Sequence, residues 1–88
     1  MTDVVELQAK TFRLIIKDGD DFDVATALHR RGIRHTTALR RTTRPHRDAC
    51  LWTCNVRVAR NVLSAWFAET DGQRAPFPAG TLLHFTEV

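Results

Sequence analysis

Between Thr11 and Lys17 the chain reads TFRLIIK, and its side chains alternate. Phe12, Leu14 and Ile16 fall on one side. Thr11, Arg13, Ile15 and Lys17 fall on the other, which predicts a strand with one buried face. Upstream, Val5, Leu7 and Ala9 have the opposite parity, so a bulge near Lys10 or a two-part strand is expected. The period then changes. In DGDDFDVATALHRRGI, Val24, Ala25 and Leu28 share one helical face, with Phe22 and His29 on its flank. Asp20 suits the N-cap and Asp23 the N3 position. Gly32 suits the position after the helix, where Ile33 would touch Leu28 in a Schellman ending.

IRHTTALRRTTR is rich in β-branched residues and predicts a second strand. With Leu39 and Arg41 inward, Arg34, Ala38, Arg40 and Arg44 face outward beside Thr36 and Thr42. Pro45 begins a turn through Arg47 or Asp48. DACLWTC predicts a third strand, and side-chain volume favours Cys50, Trp52 and Cys54 inside. Asn55 is the expected N-cap of a second helix. There Ala59, Val62, Leu63 and Trp66 follow helical spacing, and Arg57, Arg60, Asn61 and Ser64 share the far side. Gly72 is a natural stop. QRAPFPAG then leads into a last strand, TLLHFTE, with Leu83 and Phe85 inward and Leu82 and His84 outward. A single helix over residues 48–70 is the rival assignment; the threonine, asparagine and three valines in that run disfavour it.

The order β-α-β-β-α-β predicts an α+β fold of the ferredoxin-like kind: a four-stranded antiparallel sheet, order 4-1-3-2, with two helices on one face. At 88 residues, the chain is expected to form a single domain over 1–88. Hydrophobic content of 43% and charged content of 26% are ordinary for a globular chain. No apolar run approaches the roughly 18 residues of a membrane span, and no signal-peptide pattern is visible at the start. Cys50 and Cys54 on one strand would sit about 13 Å apart, too far for a disulfide. A cytoplasmic or otherwise reducing location is the default expectation.

Charge changes this picture. The formal net charge is +3, but residues 24–47 carry seven arginines and no acid, while the rest of the chain sums to −4. An edge strand often carries a charge or two against pairing with other chains. Seven uncompensated guanidiniums exceed that need and repel one another. Arginine forks onto phosphate and carboxylate, which lysine does not.

Catalytic and metal chemistry is harder to assemble. DGDDFD fails as a calcium loop, since the sixth position is Asp23 and the twelfth His29; its carboxylates are explained by helix capping. His46, Cys50 and Cys54 have zinc-ligand chemistry, but ligands four apart do not converge along a strand. Ser64 is the only serine, there is no tyrosine, and no glycine-rich loop cradles phosphate. A non-enzymatic role without cofactor or metal is therefore expected.

The expected function is a small binding protein that sets Arg34, Arg40, Arg41, Arg44 and Arg47, with Arg13 nearby, against nucleic acid or an acidic or nucleoprotein partner. Neither the first strand's outward residues nor DACLWTC supplies the aromatics of an RNA-recognition sheet, so contact with the phosphate backbone is favoured over base readout. The alternative is a protein-binding inhibitor or adaptor that occupies a partner's site. By analogy of size and absence of motifs, it compares with phage anti-defence inhibitors such as anti-CRISPR proteins. Its expected surface is an apolar patch of Ile15, Leu51 and Leu82 on the open sheet face, ringed by Arg13, Lys17 and Arg40, which would also serve a homodimer.

Overall fold

The computed structural model describes residues 8–41, 50–72 and 77–88. Four strands and two helices follow one another as β1 (Ala9–Lys17), α1 (Val24–Arg30), β2 (Arg40–Arg41), β3 (Leu51–Ala59), α2 (Arg60–Ala68) and β4 (Leu82–Glu87). The result is α+β, with one open antiparallel sheet in the order β2-β3-β1-β4. The expected Pro45 turn, together with Arg44, His46 and Arg47, lies outside the described residues.

Alternation makes β1 the centre of the sheet. Phe12, Leu14 and Ile16 are fully buried. They join Cys54 and Val56 of β3, Leu82 of β4, Val24 and Leu28 of α1, and Leu63 and Trp66 of α2 in one core. At about 25 cal/mol per Å2 of apolar area, fully burying each of the large side chains contributes about 1.5–3 kcal/mol. The β1–β3 ladder runs without interruption from the Ala9–Ala59 pair to the Lys17–Leu51 pair. No bulge falls at Lys10; the irregularity lies on the other side of β1, between Ile15 and Ile16 where β4 pairs.

That bulge corrects the reading of β4. Ile16 pairs with Leu82 and Ile15 with His84, so Leu83 is the extra residue. Leu82 therefore faces the core, fully buried, and Phe85 packs beside it on Phe12 with ring centroids 5.9 Å apart. Simple alternation had placed Leu82 outward. One inserted residue reverses the parity of everything before it.

A second correction concerns Asn55. It does not cap a helix; β3 continues four residues further, to Ala59. Val56 and Val58 extend the inward row of Trp52 and Cys54, and β-branched residues suit a strand. The backbone of Asn55 is also already engaged. Its N–H donates to Thr37 Oγ1 at 2.8 Å, and its C=O accepts from Thr36 N at 2.7 Å. α2 starts directly after the strand, with Ala59 at its N-cap and no side-chain cap.

α1 begins at Asp23 rather than Asp20. The Asp23 carboxylate accepts from the N–H groups of Ala25 and Thr26 at 3.0 and 3.4 Å and from the Thr26 hydroxyl at 2.9 Å. These bonds, the Thr26 hydroxyl foremost, hold its pKa below the ordinary carboxylate value. The helix ends as predicted. Gly32 takes φ +71°, and the N–H groups of Gly32 and Ile33 donate to the carbonyls of His29 and Leu28. Ile33, thus turned inward, is buried.

The predicted second strand is much reduced. Among the described residues, His35 makes an isolated bridge to Val56, and Arg40–Arg41 alone forms ladder, opposite Thr53 and Trp52. Between these anchors the 35–40 segment spends two residues more than β3 does. Thr36 and Thr37 use their surplus length to bond Asn55 instead of extending a ladder.

Candidate nucleic-acid interface

The sheet's second face carries no helix at the strands' centre. By pleat and register, its rows are Arg40–Thr53–Ile15–His84, Asn55–Arg13–Thr86, Arg57–Thr11 and Leu51–Lys17. Arg13, Lys17, Arg40 and Arg57 thus share one face. Among the described residues no acid pairs with Arg13, Arg40 or Arg57, whereas Lys17 shares a depression at the end of β1 with Asp18 and Asp20. Glu87 lies in register with Phe12 on the core side and pairs with Arg60 at 3.2 Å and Lys10 at 4.0 Å. Asp18, just past β1, turns to the core side and is only 5% exposed.

Asp18 explains why Arg41 behaves differently from Arg40. In an antiparallel ladder, neighbouring residues point to opposite faces. Arg41 opposes Trp52 and lies on the core side of the edge. Its Nη2 reaches Asp18 Oδ2 at 2.7 Å, and its guanidinium sits 5.2 Å from the Trp52 ring. Trp52 Nε1 donates to Asp18 Oδ1 at 2.8 Å, and Asp18 N donates to Cys50 O at 3.0 Å. A buried carboxylate is tolerated because each oxygen has a donor. This cluster fastens β2 and the start of β3 to the end of β1. Its electrostatic effect is to cancel the charge of Arg41 locally.

Arg34 is exposed at the sheet's edge, directly before the His35–Val56 bridge, where the antiparallel register leads toward Arg57. Arg44 and Arg47 lie outside the described residues. Of the expected set, the structure brings Arg13 and Arg40 together on the open face. It adds Arg57, which the sequence reading had assigned to the far side of a helix. The signal that would have found Arg57 was present: Cys54, Val56 and Val58 continue the alternation set by Trp52.

A shallow depression separates Arg13 from Arg40. Its walls are Thr37 and Ala38, and Thr53 and Asn55 line it with polar groups. The two surplus residues of the 35–40 segment make this wall. The proposed apolar patch fares worse, because Leu82 is in the core and only Ile15 and Leu51 remain, both half-buried.

Among the described residues, no three His, Cys, Asp or Glu side chains approach one another closely enough to hold a metal. Burial pushes the Cys54 thiol up to about 11, which leaves it a packing group at neutral pH. No helix among the described residues is long and apolar enough to cross a membrane. The chain matches no protein-family model, no curated protein and no solved structure.

Proposed function

We propose that this chain is a non-enzymatic binding protein on a ferredoxin-like scaffold, and that it grips nucleic acid through the open face of its sheet. The observation that carries this reading is the grouping of Arg13, Arg40 and Arg57 on one face, none of them in an ion pair with a described acid. Uncompensated guanidiniums on a broad surface attract phosphates, release their counterions and bond them bidentately. An acidic protein surface also offers anions, but stable protein interfaces centre on apolar or aromatic anchors. With Leu82 turned into the core, this face keeps only half-buried Ile15 and Leu51 and, among the described residues, no Phe or Trp.

The test is a gel-shift and anisotropy titration of the purified chain against mixed-sequence DNA and RNA at low salt. Binding that weakens steeply as salt rises is expected, along with its loss in the Arg13→Gln/Arg40→Gln/Arg57→Gln triple variant. Failure to bind either nucleic acid at low salt ends this reading.

A further inference from the structure

The open face has features that distinguish one form of nucleic acid from another. Duplex readers send a helix or a two-stranded ribbon into a groove. Here the cations stand on the pleated surface of a sheet, and no described helix projects from that side. A stiff duplex laid on such a surface meets it along a narrow line. A flexible single strand follows the surface instead.

The cations run obliquely across the sheet. Arg57 and Arg13 lie one strand and two residues apart, about 8 Å between Cα atoms at standard spacing. Arg13 and Arg40 lie two strands and two residues apart, about 12 Å. The depression lies between that second pair, walled by Thr37 and Ala38 and floored in part by Thr53 and Asn55. Arg13 and Arg40 both line it, and the Asn55 amide and Thr53 hydroxyl supply further donors. This is the composition of a seat for one phosphodiester group.

Equally informative is what the face lacks. Sheets that read single-stranded bases stack them on exposed aromatic rings. On this sheet Phe12, Trp52 and Phe85 belong to the core side, and the open face shows Thr11, Ile15, Thr53 and Thr86; its one ring among the described residues is the exposed His84 imidazole on β4, and a single ring makes no platform for successive bases. A strand held here is held by its backbone.

We infer that the open face binds single-stranded nucleic acid through its phosphodiester backbone, with one phosphate seated in the depression between Arg13 and Arg40, and without reading bases. This rests on the nucleic-acid reading above. It adds strand form, the position of one phosphate, and indifference to sequence. With three or four cations engaged, the log–log salt slope comes to about −2 to −3, at about −0.7 per phosphate on a single strand.

The experiment is fluorescence anisotropy with three labelled probes of equal length: oligothymidylate, an abasic single strand and a hairpin duplex. The expected result is equal affinity for the first two within about threefold, a duplex at least tenfold weaker, and the slope given above. Arg13→Gln and Arg40→Gln each weaken both single strands about fivefold or more, while Arg30→Gln, on the exposed side of α1 and off the sheet, changes them by less than twofold. A tenfold loss on the abasic strand overturns backbone recognition. A duplex bound as tightly as the single strands overturns the choice of strand form. Equal effects of Arg30→Gln and Arg13→Gln overturn the seat. In these three outcomes nucleic-acid binding itself survives; silence from all three probes at low salt removes it as well.

Discussion

Six arginines of this chain form two sets of three with opposite environments. Arg31, Arg41 and Arg60 each lie over an aromatic ring, those of Trp66, Trp52 and Phe12, at 4.3, 5.2 and 5.1 Å from the centroid. Each also meets an acid: Glu69 at 2.8 Å, Asp18 at 2.7 Å and Glu87 at 3.2 Å. Arg13, Arg40 and Arg57 meet neither a ring nor an acid among the described residues. The first set seals the rim of the core, where the flat guanidinium covers apolar surface and keeps its charge matched. The second set contributes little to the fold, and its charge is left for something outside it. Net charge alone does not separate these roles. The neighbours Arg40 and Arg41 separate them within two residues.

The largest effect expected from breaking this division is on binding. Replacing all three open-face arginines by glutamine should weaken nucleic-acid binding by on the order of 100-fold at low salt, through loss of charge-assisted contacts. The same variant should keep its unfolding free energy within about 0.5 kcal/mol, because exposed, unpaired side chains rarely matter to stability. Parallel anisotropy and urea titrations check both halves.

Asp18→Ala attacks the other set. It strips the acceptor from the Trp52 indole and the counter-charge from Arg41. Leaving a buried donor unsatisfied costs about 1–3 kcal/mol. Urea denaturation followed by tryptophan emission should show that loss, with affinity per folded molecule unchanged within about twofold.

A finer cut compares adjacent residues. Arg40→Gln should reduce binding and leave the urea midpoint in place. Arg41→Gln should do the reverse, with a cost under about 1 kcal/mol because the Arg41 side chain is 55% exposed. Equal effects of the two on binding would erase the distinction between the sets.

The smallest effect expected is on acid stability. The Arg31 hydrogen bonds to Glu69 lower its carboxylate pKa, as the Thr26 bonds lower that of Asp23. A carboxylate whose pKa is lower folded than unfolded stabilises the fold above its unfolded value, about 4, and loses that contribution as pH falls through the folded value. Glu69→Gln should therefore lower stability slightly and evenly above about pH 6 and converge with the parent chain as pH falls, which flattens the acid limb. Both groups are exposed, so solvent screening keeps the effect small. Open-face substitutions should leave that limb untouched.

Much of this was legible in the residue order. The alternation of TFRLIIK fixes which side of β1 is buried, and Gly32 with Ile33 fixes how α1 ends, since both are local rules of backbone geometry. The basic segment was visible too, although between Ile33 and Leu39 the described chain makes one isolated bridge in place of the predicted strand. The errors share a cause. Asn55 has the composition of a cap, but nine residues of β1 were available to pair with β3. Leu82 has the parity of an outward residue, but a bulge lies between it and Phe85. Propensity yields where a partner strand offers more hydrogen bonds than a local cap does.

The sequence by itself determined the order of elements, the apolar sides of β1 and of both helices, and the excess of arginine. Those depend on local periodicity and on composition. Only the tertiary structure decided which arginines are matched and which are left over, because that depends on register. The pairing of β2 with β3 turns Arg41 toward Asp18 and Arg40 away from it, and the continuation of β3 brings Arg57 beside Arg13. Distant residues become neighbours only when strands pair, and a shift of one position would exchange the two faces.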